Sequence, residues 1–140
     1  ADLQHAAARL GIKGLFVKDE SYRFGLNAFK VLGGSYAVAS EIAAAVGRDI
    51  GETDYAYLTS KRLREEFGQA TFFTATDGNH GRGVAWAAHQ YGCKSYVYMP
   101  KGSAQSRVDA IKRVGAEDCI VTEMNYDDTV KLTAKLDKLE

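Results

Sequence analysis

The sequence predicts an α/β fold, a parallel sheet with helices on both faces, and three observations carry that prediction. From Ala70 onward, short runs rich in β-branched and aromatic residues alternate with helix-length stretches. Each switch is marked by glycine, proline or a cluster of polar residues. With 140 residues, 46% of them hydrophobic, the chain is large enough for one domain with a real core.

Taken in order, residues 3–10 read as a short helix and Leu15 to Lys18 as a strand, with Gly11 and Gly14 between them. Asn27 stands where a helix N-cap belongs. The Ala-rich stretch Ala28 to Val46 that follows is apolar on most sides and is expected to be buried. Gly47 to Gln69 is polar and reads as a surface connection with a helical piece from about Leu58 to Phe67. The alternation then runs strand Thr71 to Ala75, helix His80 to Tyr91, strand Ser95 to Met99, helix Ala104 to Val114, strand Cys119 to Thr122 and helix Tyr126 to about Leu139. Strands joined by helices of this length are βαβ crossovers, which build a parallel sheet. Ligands of such sheets sit at the carboxyl ends of the strands, which directs attention to residues 76–79, 100–103 and 123–125.

Composition narrows the partners. Eighteen basic residues balance eighteen acidic ones, so no general field draws the chain to nucleic acid or anionic lipid. No apolar run reaches the roughly 20 residues that a bilayer requires. A small polar metabolite is the expected partner. Cys93 and Cys119 show no C-x-x-C spacing, so neither a disulfide framework nor a zinc site is suggested, and reduced cytoplasmic thiols are the simplest reading. The chain starts at Ala1 and stops at Glu140 inside a helical pattern, which reads as part of a longer protein.

Two segments carry chemistry. In Asn27-Ala28-Phe29-Lys30-Val31-Leu32-Gly33-Gly34, one lysine lies in an apolar run and two glycines interrupt a helix, at about 1 kcal/mol each relative to alanine. Close approach of another backbone or of a flat ligand would offset that cost. With Asn27 as N-cap, Lys30 falls in the first helical turn, where the positive end of the helix dipole favours the neutral amine that Schiff-base chemistry needs. Taken alone, the segment fits a snorkelling lysine, whose stem packs while its head reaches water, more readily than a Schiff-base lysine.

The second segment, Thr76-Asp77-Gly78-Asn79-His80-Gly81-Arg82-Gly83, is a strand end, a tight turn and a helix start. Asn79 offers both a donor and an acceptor to a hydroxyl or phenolate oxygen. Gly78 and Gly81 would let the backbone approach a ring. Alternatively, Asp77 or Asn79 caps the helix. His80 is placed to donate a proton or to serve as a surface residue. The glycines do not match G-x-G-x-x-G and no Walker A lysine follows, so a nucleotide site is unsupported. His89 and Cys93 lie one turn apart, which is too few ligands for a metal.

Together with Lys18-Asp19-Glu20, Met99-Pro100-Lys101, Lys112-Arg113-Val114-Gly115-Ala116-Glu117 and Tyr126-Asp127-Asp128, these segments resemble the fold type II pyridoxal-phosphate enzymes in order and spacing. That group includes the serine/threonine dehydratases, threonine synthase and cysteine synthase. The resemblance implies that Lys30 binds the aldehyde of pyridoxal 5'-phosphate and that Asn79 hydrogen-bonds its 3'-oxygen. It places Phe29 and Gly78 beside the cofactor, and Thr76, Asp77 and His80 on the side of an amino-acid substrate. Dehydratases of the group show Ser, a small residue, then Gly-Asn-His, whereas Thr76 and Asp77 stand here. A carboxylate there would attract a second ammonium and could act as a base on the face opposite Lys30. The resemblance therefore implies a lyase that eliminates ammonia from either enantiomer of 2,3-diaminopropionate, giving pyruvate. A serine/threonine dehydratase or threonine synthase, and a non-catalytic α/β binding or regulatory module, are the alternatives. It further implies that residues 1–46 belong with a larger cofactor domain, that 47–69 connect, and that 70–140 begin a smaller α/β domain. The phosphate-binding loop and the partner of the pyridine nitrogen would lie after residue 140, in a full-length homodimer.

Overall fold

In a computed structural model of the chain, Thr71–Ala75, Lys94–Met99 and Asp118–Val121 form strands β1, β2 and β3 of one parallel sheet in the order β1-β2-β3. The structure describes residues 2–67 and 70–136. Thr71 pairs with Lys94 and Ala75 with Tyr98, then Tyr96 with Asp118 and Met99 with Val121, so all three strands end at one edge. Between them run helices α5 (Asn79–Gln90) and α6 (Gln105–Arg113), and α7 (Tyr126–Leu136) follows β3. Each boundary lies within a residue or two of the position the alternation predicts, up to Leu136; residues 137–139 of the expected last helix lie outside the described residues.

Alternation along β2 assigns the two faces. Ser95, Val97 and Met99 are buried, and Val97 and Met99 form one core with Ala85 of α5, Val108 and Ile111 of α6 and Cys119 of β3. The opposite face carries Phe73 stacked on Tyr96 at 5.6 Å, and α7 packs back over β1 and β2 with Thr129 and Thr133 buried. Helices thus cover both faces, as the sequence predicts.

Ahead of the sheet stand α1 (Gln4–Leu10), α2 (Lys30–Ala45), α3 (Tyr55–Leu58) and α4 (Lys61–Phe67). Val38, Ile42, Leu58 and Leu63 from α2, α3 and α4 join Val84 and Ala88 of α5 in a second core. Among the described residues no helix is long and apolar enough to cross a membrane.

Four expectations need correction in this first half. Leu15 to Lys18 does not form a strand: the segment carries one isolated antiparallel bridge, Asp2 to Phe16, and Phe16 is 78% exposed. Asn27 does not cap α2. It takes a left-handed conformation, φ 51°, closing a turn in which Phe24 and Gly25 are also left-handed, and the helix begins at Lys30 with Phe29 at the cap position. Helix α2 is buried along one stripe only; Leu32 and Tyr36 face outward. The connecting helix is two helices, because Asp54 caps α3 at the Tyr57 N–H (2.7 Å) and Ser60 then starts α4 by accepting from the Leu63 N–H (3.1 Å).

Candidate active site

The site is built where α2 and α5 touch. A β-carbon on Gly83 would lie 2.8 Å from the Val31 Cα, and one on Gly34 would lie 3.1 Å from the Val84 backbone nitrogen. Glycine at both positions lets the helices approach at backbone distance, which accounts for Gly34 by a neighbouring backbone rather than a ligand. The first turn of α2, with Lys30, is thereby held against α5, whose first residue is Asn79. Gly33, by contrast, faces open space.

The turn from β1 into α5 frees its polar side chains. Gly78 occupies the cap position with φ 155°, a conformation that side chains disfavour, and no side chain of its own can cap. Thr76 does that work from two residues upstream: its Oγ1 accepts from the Gly78 N–H at 2.9 Å and from the Gly81 N–H at 3.0 Å. Neither Asp77 nor Asn79 is therefore spent on capping. Both are exposed and, among the described residues, neither side chain makes a hydrogen bond. Thr76 is 1% exposed and committed to the turn, so the structure gives it a shaping place rather than a face on the cleft. Gly81 is likewise internal; a β-carbon there would lie 2.4 Å from the Thr76 Cγ2, so its smallness serves helix-on-sheet packing.

Lys30, Asp77, Gly78, Asn79 and Arg107 line one cavity of about 160 Å³. A second, of about 280 Å³, is also lined by Lys30 and Asn79, together with Lys18, Asp19, Ala28 and Phe29 among others. Lys30 and Asn79 thus line both clefts. Phe29 is 64% exposed beside Lys30. Lys30 is also exposed, not buried as its apolar segment suggests, and its ammonium has no ion-pair partner among the described residues. Glu20, nearby in the second cleft's wall, pairs with Arg23 and, at 3.2 Å, with Lys18, and the Arg23 hydrogen bonds hold its carboxyl down at about 2.

His80 reports the electrostatics. Partial burial pushes its imidazole below the ordinary histidine value, the Lys30 charge lowers it further, and the Asp77 carboxylate acts in the opposite sense. Lys30, Asp77 and His80 therefore share one field.

Arg107 has no counterpart in the sequence reading. It projects from α6 to Asp77, where its Nη1–H donates to the Asp77 carbonyl oxygen at 2.7 Å. Nothing local in the sequence marks a bond spanning 30 residues; the one available signal is the position of α6 directly after the loop at the carboxyl end of β2.

These residues suit an aldehyde-bearing aromatic cofactor: a primary amine and a side-chain amide, each without a partner among the described residues, line the same two clefts. The whole chain, residues 1–140, matches the family described as pyridoxal-phosphate dependent enzyme. The chain belongs to that family. Pyridoxal phosphate is accordingly its cofactor, and Lys30 and Asn79 are the residues whose surroundings fit it. Among relatives in the pyridoxal-phosphate family, diaminopropionate ammonia-lyase of Escherichia coli strain K12 is 58% identical over 94% of this chain and 32% of its own length. The Salmonella typhimurium protein of the same name is 51% identical over 96% of this chain and 33% of its own. A crystal structure of the Escherichia coli enzyme in complex with D-serine superposes with a TM-score of 0.88 at 52% identity, covering 99% of this chain and 34% of that one. The chain spans about a third of the length of the curated relatives it matches.

Proposed function

We propose that the full-length protein eliminates ammonia from 2,3-diaminopropionate to give pyruvate, with Lys30 as the cofactor lysine and Asp77 as a second base. The observation that carries this reading is the cavity lined by both Lys30 and Asp77, in which the Asp77 carboxylate is left free by the capping hydrogen bonds of Thr76. The relatives of that name support the choice of substrate.

Each residue then has a task. The Lys30 amine holds the cofactor aldehyde, and Asn79 donates to or accepts from its ring oxygen. When bound, the cofactor supplies an electron sink. Asp77, an anion facing the cavity, attracts the ammonium that distinguishes a diamino acid from serine. An amine and a carboxylate on one cavity give two bases, and two bases allow α-protons of opposite configuration to be removed. Phe29 offers an exposed ring beside Lys30, Gly78 brings backbone without a side chain to the cavity wall, and His80 lies in the field of both bases.

Residues 1–46 belong, in this reading, with the larger cofactor domain, and 70–140 with the smaller one; the fact that 2–67 add no strand to the parallel sheet supports the division. A cytoplasmic homodimer completes it, on the family likeness and on the two free, buried thiols of Cys93 and Cys119.

The test is an assay of full-length protein with both enantiomers of 2,3-diaminopropionate and with serine. Pyruvate is expected fastest from the diamino acid; faster release from serine defeats the reading. Asp77→Asn is expected to keep the cofactor absorbance and to lose one enantiomer far more than the other. Equal activity on both removes Asp77 as a base.

A further inference from the structure

The second cleft takes its wall from both sides of one turn: residues 17–21 precede the turn, residues 27–30 follow it, and both stretches line the cleft. The turn is strained. Phe24 has φ 49°, a left-handed conformation that crowds the β-carbon of an ordinary residue and that glycine adopts freely. A side chain persists there only when its surroundings hold it. Phe24 is half-exposed, so burial does not hold it. Its ring instead lies on the indole of Trp86 in α5, with centroids 4.8 Å apart and planes inclined by 21°. We infer that Phe24 is a positioning residue, whose stack on Trp86 sets the walls of the second cleft around the cofactor lysine; this rests on the reading of Lys30 as that lysine.

Trp86 is suited to be the anchor. It is partly buried against the second core, and with Asn79 and Gly83 it follows the i, i+4, i+7 spacing of one stripe of α5. Asn79 lines both clefts, and Gly83 meets the backbone of Lys30 and Val31. One face of one helix therefore supplies the amide of the site, the seat of the lysine's helix and the hold on the turn. Other bonds of the turn act within it: Arg23 pairs with Glu20, and the Leu26 N–H donates to the Arg23 carbonyl oxygen at 2.9 Å. They shape the turn, whereas the stack ties it to α5.

A double-mutant cycle on cofactor affinity tests this. Full-length apoprotein is titrated with pyridoxal phosphate and binding is read from the cofactor absorbance, in wild type, Phe24→Leu, Trp86→Leu and the double variant. Each single variant is expected to bind the cofactor about ten-fold weaker, and the double variant about as weakly as either single one, because the two rings act as a unit. Phe24→Tyr retains the ring and should bind as wild type does. Phe24→Gly separates positioning from stability. It relieves the left-handed strain, so its urea midpoint should equal or exceed that of Phe24→Leu, while its cofactor affinity stays as low. Affinity restored in Phe24→Gly, losses that multiply in the double variant, or affinities unchanged throughout overturn the inference. Borohydride trapping of the wild type keeps the two levels apart. An adduct on a lysine other than Lys30 overturns the reading of the site and this inference with it, whereas an adduct on Lys30 with unchanged affinities overturns this inference alone.

Discussion

Gly83→Ala should separate the two helices that carry the site. The added methyl would lie 2.8 Å from the Val31 Cα, 3.3 Å from the Val31 nitrogen and 3.4 Å from the Lys30 oxygen. All three atoms belong to the backbone of α2, so no rotamer change relieves the contact and the whole first turn must move. Overpacking of this kind costs about 1–3 kcal/mol, with a rigid neighbour at the upper end, and alanine returns about 1 kcal/mol of helix propensity. A net loss of about 2 kcal/mol follows, which at a urea slope of about 2 kcal/mol/M lowers the unfolding midpoint by about 1 M. Gly33→Ala, fifty positions earlier and facing open space, is the control: it carries the propensity gain alone and should match or exceed wild type. The assay is a urea unfolding series on the three proteins with slopes compared. Gly83→Ala at or above the wild-type midpoint would refute the claim that backbone contact between α2 and α5 positions Lys30.

Further consequences can be checked separately. Thr76→Val keeps the shape but removes the acceptor of two N–H groups, so a loss of about 1–3 kcal/mol in chemical unfolding is expected, with Thr76→Ser retaining most of the stability. In a proton NMR titration without cofactor, His80 should titrate below the ordinary histidine value, move up in Lys30→Met and down in Asp77→Asn. Because the folded protein binds that proton less readily than the unfolded chain, His80 makes stability rise with pH through the window just below 6.5 and fall as pH drops through it. Burial raises the thiol of Cys119 to about 11 and that of Cys93 above its usual value, so an aromatic disulfide reagent at pH 8 should label neither until the protein unfolds.

The legibility of this chain was uneven for physical reasons. Residues 71–136 build their own sheet, so the local alternation of strand and helix coincides with the tertiary pairing, and the boundaries were readable. Residues 11–29 have no such local determinant. Leu15 to Lys18 has strand composition but one bridge, and Asn27 has cap composition but a left-handed backbone imposed by the turn at Phe24 and Gly25. At the site, residue type and spacing leave Lys30, Asp77, Gly78, Asn79 and His80 open between chemistry and packing; the family resemblance is what singles them out, and the structure places them near one another. A threonine ahead of a helix looks the same in sequence whether its hydroxyl faces a ligand or, as at Thr76, accepts from two backbone N–H groups. Arg107 is not legible in the sequence, because its bond to the Asp77 carbonyl arises from crossover geometry and not from its neighbours in the chain.

The central claim is that Lys30 is the lysine that holds the cofactor, and covalent trapping tests it most directly. Full-length protein is reduced with borohydride in the presence of pyridoxal phosphate, digested and mapped by mass spectrometry. The phosphopyridoxyl group should be found on the peptide containing Phe29-Lys30-Val31 and be lost in Lys30→Ala. A stoichiometric adduct on another lysine, with Lys30 unmodified, would contradict the account.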